Sequence, residues 1–208
     1  MISKNGAQGI YIKTDVAKPE SVQNAIRQTV DKFGKLDVID NIAGGSLQED
    51  RPIAEVSIEI WEKTFSINVF SAFLCSKYGI PELIKAERGS IILTGSIVGL
   101  VGIVRAAYTA AKGGIIALTR VMAVDYAKYN IRVNYVCPGT ILTDRMKRDL
   151  DKNPAIFESV RPFQLLGFNE PIDVSYTKLF LASDESKRVT GAIFSIDSGV
   201  VALGGIPS

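Results

Sequence analysis

Ser96, Tyr108 and Lys112 are the side chains of this sequence whose types and spacing could do chemistry. Tyr108 and Lys112 are four positions apart, so on a helix they share one face. A phenol with its ordinary pKa of about 10 is a poor acid or base at neutral pH. An ammonium one turn away favours the phenolate, and a serine hydroxyl can hold a substrate oxygen against the phenol. Such a trio could move a proton to or from a carbonyl or an alcohol. A Tyr-x-x-x-Lys pair also arises by chance on helix surfaces, and that reading stays open on the pair alone.

The surrounding pattern supplies elements that could position the trio. Ser90–Thr94 is an apolar run bounded by glycines and reads as a buried strand. Ser96 falls on the loop just after it, where an open α/β sheet places its reactive groups. A helix runs from about Tyr108 to Tyr129, apolar on several sides through Ile115, Ile116, Leu118, Val121, Met122 and Val124. A helix of that kind is expected to be covered on both sides, one against the sheet and one against a partner. Upstream, Gly9–Asp15 reads as a strand. Pro19 opens an amphipathic helix through Val22, Ile26, Val30 and Phe33 that Gly34 ends. Leu36–Ile39 is a further strand with a turn at Asn41–Gly44. Ser57 caps a long helix reaching about Tyr78, with Pro81 a kink or the start of a further turn. Asn68 is polar in its mostly apolar middle. Downstream come a strand at Ile131–Cys137, a helix at Asp173–Ala182 and a last strand at Gly191–Asp197. Residues 144–168, charged and broken by Pro154 and Pro162, fit either a mobile segment covering a substrate or a plain surface excursion. The alternation of strands and helices makes this an α/β chain with a mostly parallel sheet.

Composition excludes several functions. The chain has 208 residues, 47% apolar and 22% charged, which suits one domain spanning 1–208. A net charge of +2 gives no footprint for nucleic acid or an acidic membrane surface. With no histidine, His-based catalysis is excluded and no metal site is expected. The N-terminal residues lack the apolar core of a signal peptide, and no run reaches the roughly 18 apolar residues of a membrane span. A soluble cytoplasmic protein follows, with Cys75 and Cys137 as reduced core thiols.

A serine after a buried strand, followed twelve positions later by Tyr-x-x-x-Lys, resembles the classical short-chain dehydrogenase/reductase family. Asp15-Val16 looks like that family's adenine-contacting pair. Asn41-Ile42-Ala43-Gly44 is similar to its Asn-Asn-Ala-Gly turn beside the adenosine ribose, with Ile42 where a second asparagine is usual. The resemblance implies a Rossmann-like fold and an NAD- or NADP-dependent oxidoreductase that interconverts a secondary alcohol and a ketone by hydride transfer. It implies Tyr108 as general acid/base, Lys112 lowering its pKa and holding the nicotinamide ribose, and Ser96 orienting the substrate oxygen. Asn68 would keep its helix locally open and hold a relay water. Pro138-Gly139 would match the family's Pro-Gly motif, with the main chain at Ile141 and the Thr143 hydroxyl on the nicotinamide carboxamide. It also implies a homodimer or homotetramer built on the two long helices.

The family opens with a strand, a glycine-rich turn and a helix whose N-terminus holds the pyrophosphate. No Gly-x-x-x-Gly-x-Gly precedes Asp15. The first strand here would be the family's third, and Met1–Gly6 resembles the end of its second helix. The expectation is therefore a chain truncated at its N-terminus, with an open sheet edge at Leu36–Ile39. Residues 9–15 would either move in to pair with that edge or be poorly ordered. The alternative function is then a catalytically inactive homologue that acts at most as an oligomer partner.

Overall fold

The computed structural model describes residues 6–102 and 105–204. The expectation for Met1–Gly6 therefore lies, all but its last residue, outside the described residues. Four parallel strands form one sheet in the order β1 (Val38–Asn41), β2 (Gly89–Thr94), β3 (Ile131–Pro138), β4 (Ile193–Ile196). Each returns through a helical crossover, as parallel neighbours require.

Alternation along β2 decides which helices go where. Ile91 and Leu93 point into one core with Leu36, Ile39, Ile115, Val133 and Tyr135. Ile92, between them, joins Val136 and Leu181 in a second core. The first core is covered by α1 (Pro19–Phe33), α3 (Ser71–Lys85) and α4 (Ala106–Tyr126), the second by α7 (Pro171–Ala182). Because β2 is buried on both faces, its sequence is a continuous apolar run rather than an alternating one.

α1 forms as its sequence suggests, with Pro19 in the first turn and Gly34 closing it at φ +80° while donating to the Val30 carbonyl. The long helix expected from Ser57 is three pieces. α2 (Ile58–Phe65) is capped by Ser57 Oγ, which accepts from Ile60 N at 3.2 Å. A π-helical turn follows at Ser66–Phe70, and α3 then runs through Pro81 to Lys85. α4 begins two residues earlier than expected, and its last turn, Ala127–Tyr129, tightens to a 3₁₀ form. Residues 144–168 contain α5 (Asp144–Lys152) and α6 (Pro154–Val160), with Pro154 in a first turn where a missing N–H costs nothing.

The strand expected at Gly9–Asp15 is not a strand. The segment is extended but joins no ladder, and Tyr11 is 88% exposed. β-branched and aromatic residues suit a pleated surface but supply no partner of their own. The anticipated pairing does not occur: these residues do not join β1, whose outer edge has no strand beside it among the described residues. Both cysteines are free, and burial pushes both thiols up, Cys137 to about 12.

Candidate active site

Ser96 lies two residues past the end of β2 and opens a 3₁₀ turn (Ile97–Gly99), its Oγ accepting from Val98 N at 3.4 Å. The Ser96 side chain also faces the Tyr108 hydroxyl, near enough to draw its pKa down. Lys112, one turn further along α4, is buried, and its Nζ sits 5.5 Å from the centre of the Tyr108 ring. Its ammonium donates to the Thr94 carbonyl at the end of β2, at 3.0 Å. The three residues expected to act together are thus brought together at the C-terminal end of the sheet, at the foot of one doubly paired strand.

The electrostatics differ from the expectation in one respect. Burial is the dominant influence on Tyr108 and holds its pKa above the usual phenol value. The Ser96 hydroxyl pulls it back down, Cys137 raises it again, and the Arg145 guanidinium lowers it by less. The Lys112 ammonium is not among the groups that lower it. Lys112 is itself depressed to about 8 by burial, against an opposing pull from Cys137 that exceeds the small further depression from the like charge of Lys178. An ammonium has three N–H donors, and the Thr94 carbonyl takes one of them. A buried cation with donors to spare fits a sugar diol, which supports a nicotinamide ribose there.

Asn68 sits in the π turn. Its Oδ1 accepts from Gly45 N at 3.1 Å, and its Nδ2 donates to Gly45 O at 2.9 Å and to Thr64 O at 2.8 Å. The inserted residue opens the helix locally, as expected of Asn68, and the amide clasps the turn after β1. Gly44, at φ +143°, lets that turn come in: a Cβ there would lie 2.6 Å from Asn68 Oδ1. Asn41 is buried at the end of β1 and Ala43 lies beside Asn68 and Thr94, whereas Ile42 points outward, 62% exposed. Pro138 ends β3, and Gly139 N donates to Ile196 O at 2.9 Å. A cleft of about 610 Å³ brings Pro138, Ile141, Thr143 and Thr94 together with Ile42 and Lys178. Thr143 Oγ1 caps α5 by accepting from Met146 N at 3.2 Å, which leaves its O–H free to donate. Asp15 does not join this group through any described bond. Its contacts are local, to Ala17, Lys18 and Ser21, and with Val16 it shapes the turn into α1.

Four residues of this region were not singled out in the sequence. Asp50 is buried and caps α4 from afar, Oδ1 accepting from Ala107 N at 3.2 Å and Oδ2 from Tyr108 N at 2.9 Å. An anion at a helix N-terminus is favourable, and this one fixes the residue that carries the phenol. Arg105, just before α4, adopts φ +77° and donates to the Leu47 carbonyl, a conformation unfavourable for a side-chain-bearing residue. Lys178 joins Asp40, at 2.9 and 3.2 Å, to Thr94 Oγ1 at 2.8 Å. The fourth, Tyr135, is buried in β3. Each acts across a large sequence separation, so only the residue type hinted at it, such as a cation in an apolar helix or a phenol in an apolar strand.

Comparison with known proteins bears on what this arrangement does. A family described as "Enoyl-(Acyl carrier protein) reductase" matches residues 1–201. A 2,5-dichloro-2,5-cyclohexadiene-1,4-diol dehydrogenase of Sphingobium indicum is 35% identical over 206 residues, covering 98% of this chain and 82% of the relative. The structure of ElxO with NADP bound superposes with a TM-score of 0.85 at 31% identity, covering 90% of this chain and 76% of that one. A short-chain type dehydrogenase/reductase from Mycobacterium ulcerans gives 0.90 at 26% identity, over 98% and 74%.

Proposed function

This chain belongs to the short-chain dehydrogenase/reductase family, and from that premise we propose that it is an NAD(P)-dependent oxidoreductase interconverting a secondary alcohol and a ketone. The observation that carries the reading is the convergence of Ser96 and Tyr108 beside the buried Lys112 ammonium. The nicotinamide cofactor supplies and takes up the hydride when bound. In reduction the Tyr108 hydroxyl gives its proton to the substrate oxygen, and in oxidation the phenolate takes it back. Ser96 Oγ holds the same oxygen in line with Tyr108. Lys112 donates to the ribose, and Asn68 keeps the helix open beside the site so that a water can reach the lysine. The main chain at Ile141 and the Thr143 hydroxyl hold the carboxamide, with Pro138 and Gly139 shaping the floor. Asn41, Ala43 and Gly44 line the ribose side, and Asp15-Val16 are the adenine contacts. Residues 144–168 close over a small alcohol or ketone.

Because Tyr108 is held above the ordinary phenol pKa, phenol is the resting form at neutral pH. Reduction is therefore favoured there, and oxidation gains as pH rises. Assembly follows from the apolar face on the π turn, α3 and α4, where Val121 is 51% exposed beside Phe70 and Phe73. A second copy covers it in a homodimer or homotetramer. No helix of the described residues is long and apolar enough to cross a membrane, and two free thiols fit the reducing cytoplasm.

A second reading, a chain that keeps fold and interface without turnover, is favoured by the open outer edge of β1 beside the residues meant for the adenosine. Fluorescence titration with NADH and with NADPH separates the two. Saturable micromolar binding of either is expected, and it identifies the cofactor. The absence of binding at millimolar cofactor would overturn the oxidoreductase reading for this polypeptide.

A further inference from the structure

We propose that Tyr135 is a positioning residue of the Tyr108 site, its single hydroxyl tying the Ser96 loop to α4. The inference rests on the oxidoreductase reading for its kinetic consequence but not for its geometry. Tyr135 lies in β3 opposite Leu93 of β2 and is completely buried in the core that α4 covers. Its Oη accepts from Ser96 N at 3.1 Å and donates to the Lys112 carbonyl at 3.2 Å. One atom therefore holds the backbone of the residue that orients the substrate oxygen and the backbone of the residue one turn beyond Tyr108.

The neighbouring residue types agree with this arrangement. Gly95 precedes Ser96, and a Cβ on it would fall inside the Tyr135 ring. The loop can pass over the phenol only because that side chain is absent. A buried phenol costs stability unless its hydroxyl is paired, and this one is paired as acceptor and as donor. Burial also pushes its own pKa up, with the Ser96 amide opposing, so it stays a neutral phenol while Tyr108 titrates. It is a brace, not a second acid.

The consequence is that the placement of Ser96 against Tyr108 depends on a residue that acts through the backbone of each side. Removing the Tyr135 hydroxyl frees the Ser96 amide, lets the loop drift from α4 and weakens the influence of Ser96 that draws the Tyr108 pKa down. A loss of register of this size at a reacting centre lowers turnover by about 10- to 100-fold without touching the cofactor.

The test is Tyr135→Phe, which keeps the ring. Spectrophotometric titration of phenolate, taken as the difference between each chain and its Tyr108→Phe counterpart, reads the Tyr108 pKa without any turnover. An upward shift is expected in Tyr135→Phe, together with the drop in kcat and a KM for NADH or NADPH within about two-fold. A Tyr108 that titrates as in the parent overturns the proposal, whether or not the melting temperature falls. If Tyr135→Phe does not fold, hydrogen exchange of the parent decides: a protected Ser96 amide supports the brace, and one exchanging like an open loop overturns it. A parent without turnover would remove the proposed reaction and leave both readouts of Tyr135 intact.

Discussion

The centre of the sheet and its β1 side are built to different standards. β2 has a strand on each side and a core on each face, and Ile91, Ile92 and Leu93 are buried. The residues hung from it are held more than once: Ser96 by Tyr135, Lys112 by Thr94, and the start of α4 by Asp50. Among the described residues β1 is paired on one side only, and the extended segment before α1 is paired on neither. The residues proposed to handle the proton belong to the first region, and Asp15, Asn41 and Ala43, proposed for the adenosine side, to the second. The difference teaches where geometry is fixed by the fold before anything binds. The proposed chemistry is preorganised by hydrogen bonds of long sequence separation, and the turn after β1 is positioned chiefly by the Asn68 clasp on Gly45.

Three experiments would break or sharpen that contrast. The largest effect belongs to Tyr108→Phe, which removes only the proton carrier: turnover falls by about 10²- to 10⁴-fold while cofactor titration is unchanged. Retained turnover would place the acid elsewhere and end the contrast. Next is Lys112→Met. The folded pKa of Lys112 is about 8 against 10.5 for the ordinary side chain. Below pH 8 the folded chain therefore carries a charge at a place that disfavours it. Between the two values the unfolded chain binds more protons than the folded one, so stability of the parent rises with pH across that window. Urea melts of parent and variant should converge by roughly 3 kcal/mol between pH 7.5 and 10.5; a constant gap would mean that Lys112 is not desolvated. The smallest effect is on the other side. Tyr11→Ser in the extended segment should change unfolding free energy by no more than about 0.5 kcal/mol. A larger loss would reveal packing of that segment that its exposure does not suggest.

How far the sequence could be read depended on how far apart the interacting residues lie. The strand–loop–helix carrying Ser96, Tyr108 and Lys112 was legible because burial on both faces leaves an unbroken apolar run and helical spacing is local. The start of α4 was misplaced by two residues because its cap is Asp50, more than fifty positions upstream, and not the residue before the helix. Gly9–Asp15 has strand-like residues, but pairing is a property of two segments, and among the described residues no second strand pairs with it. Ile131–Cys137 was legible as a strand, but no local pattern reveals where the Tyr135 hydroxyl ends. The Asp40–Lys178 pair joins the first strand to the last helix, a contact no local pattern announces. The lowering influence on Tyr108 was assigned to the neighbour in sequence, whereas Ser96 and Arg145 supply it.

The π turn at Ser66–Phe70 couples two surfaces that otherwise have nothing to do with each other. An α-helix rotates by about 100° for every residue added or removed. The extra residue therefore sets the angle between the stacked Trp61–Phe65 pair before the turn and the stacked Phe70–Phe73 pair after it. Those rings share the outer apolar face, and Asn68 in the same turn grips Gly45 inside. Deleting one residue here would regularise the helix, swing the aromatic pairs out of line and release the loop within. Residues along this helix can thus be exchanged at less cost to the site than its length can be changed, because its length is the gearing between the exterior and the interior.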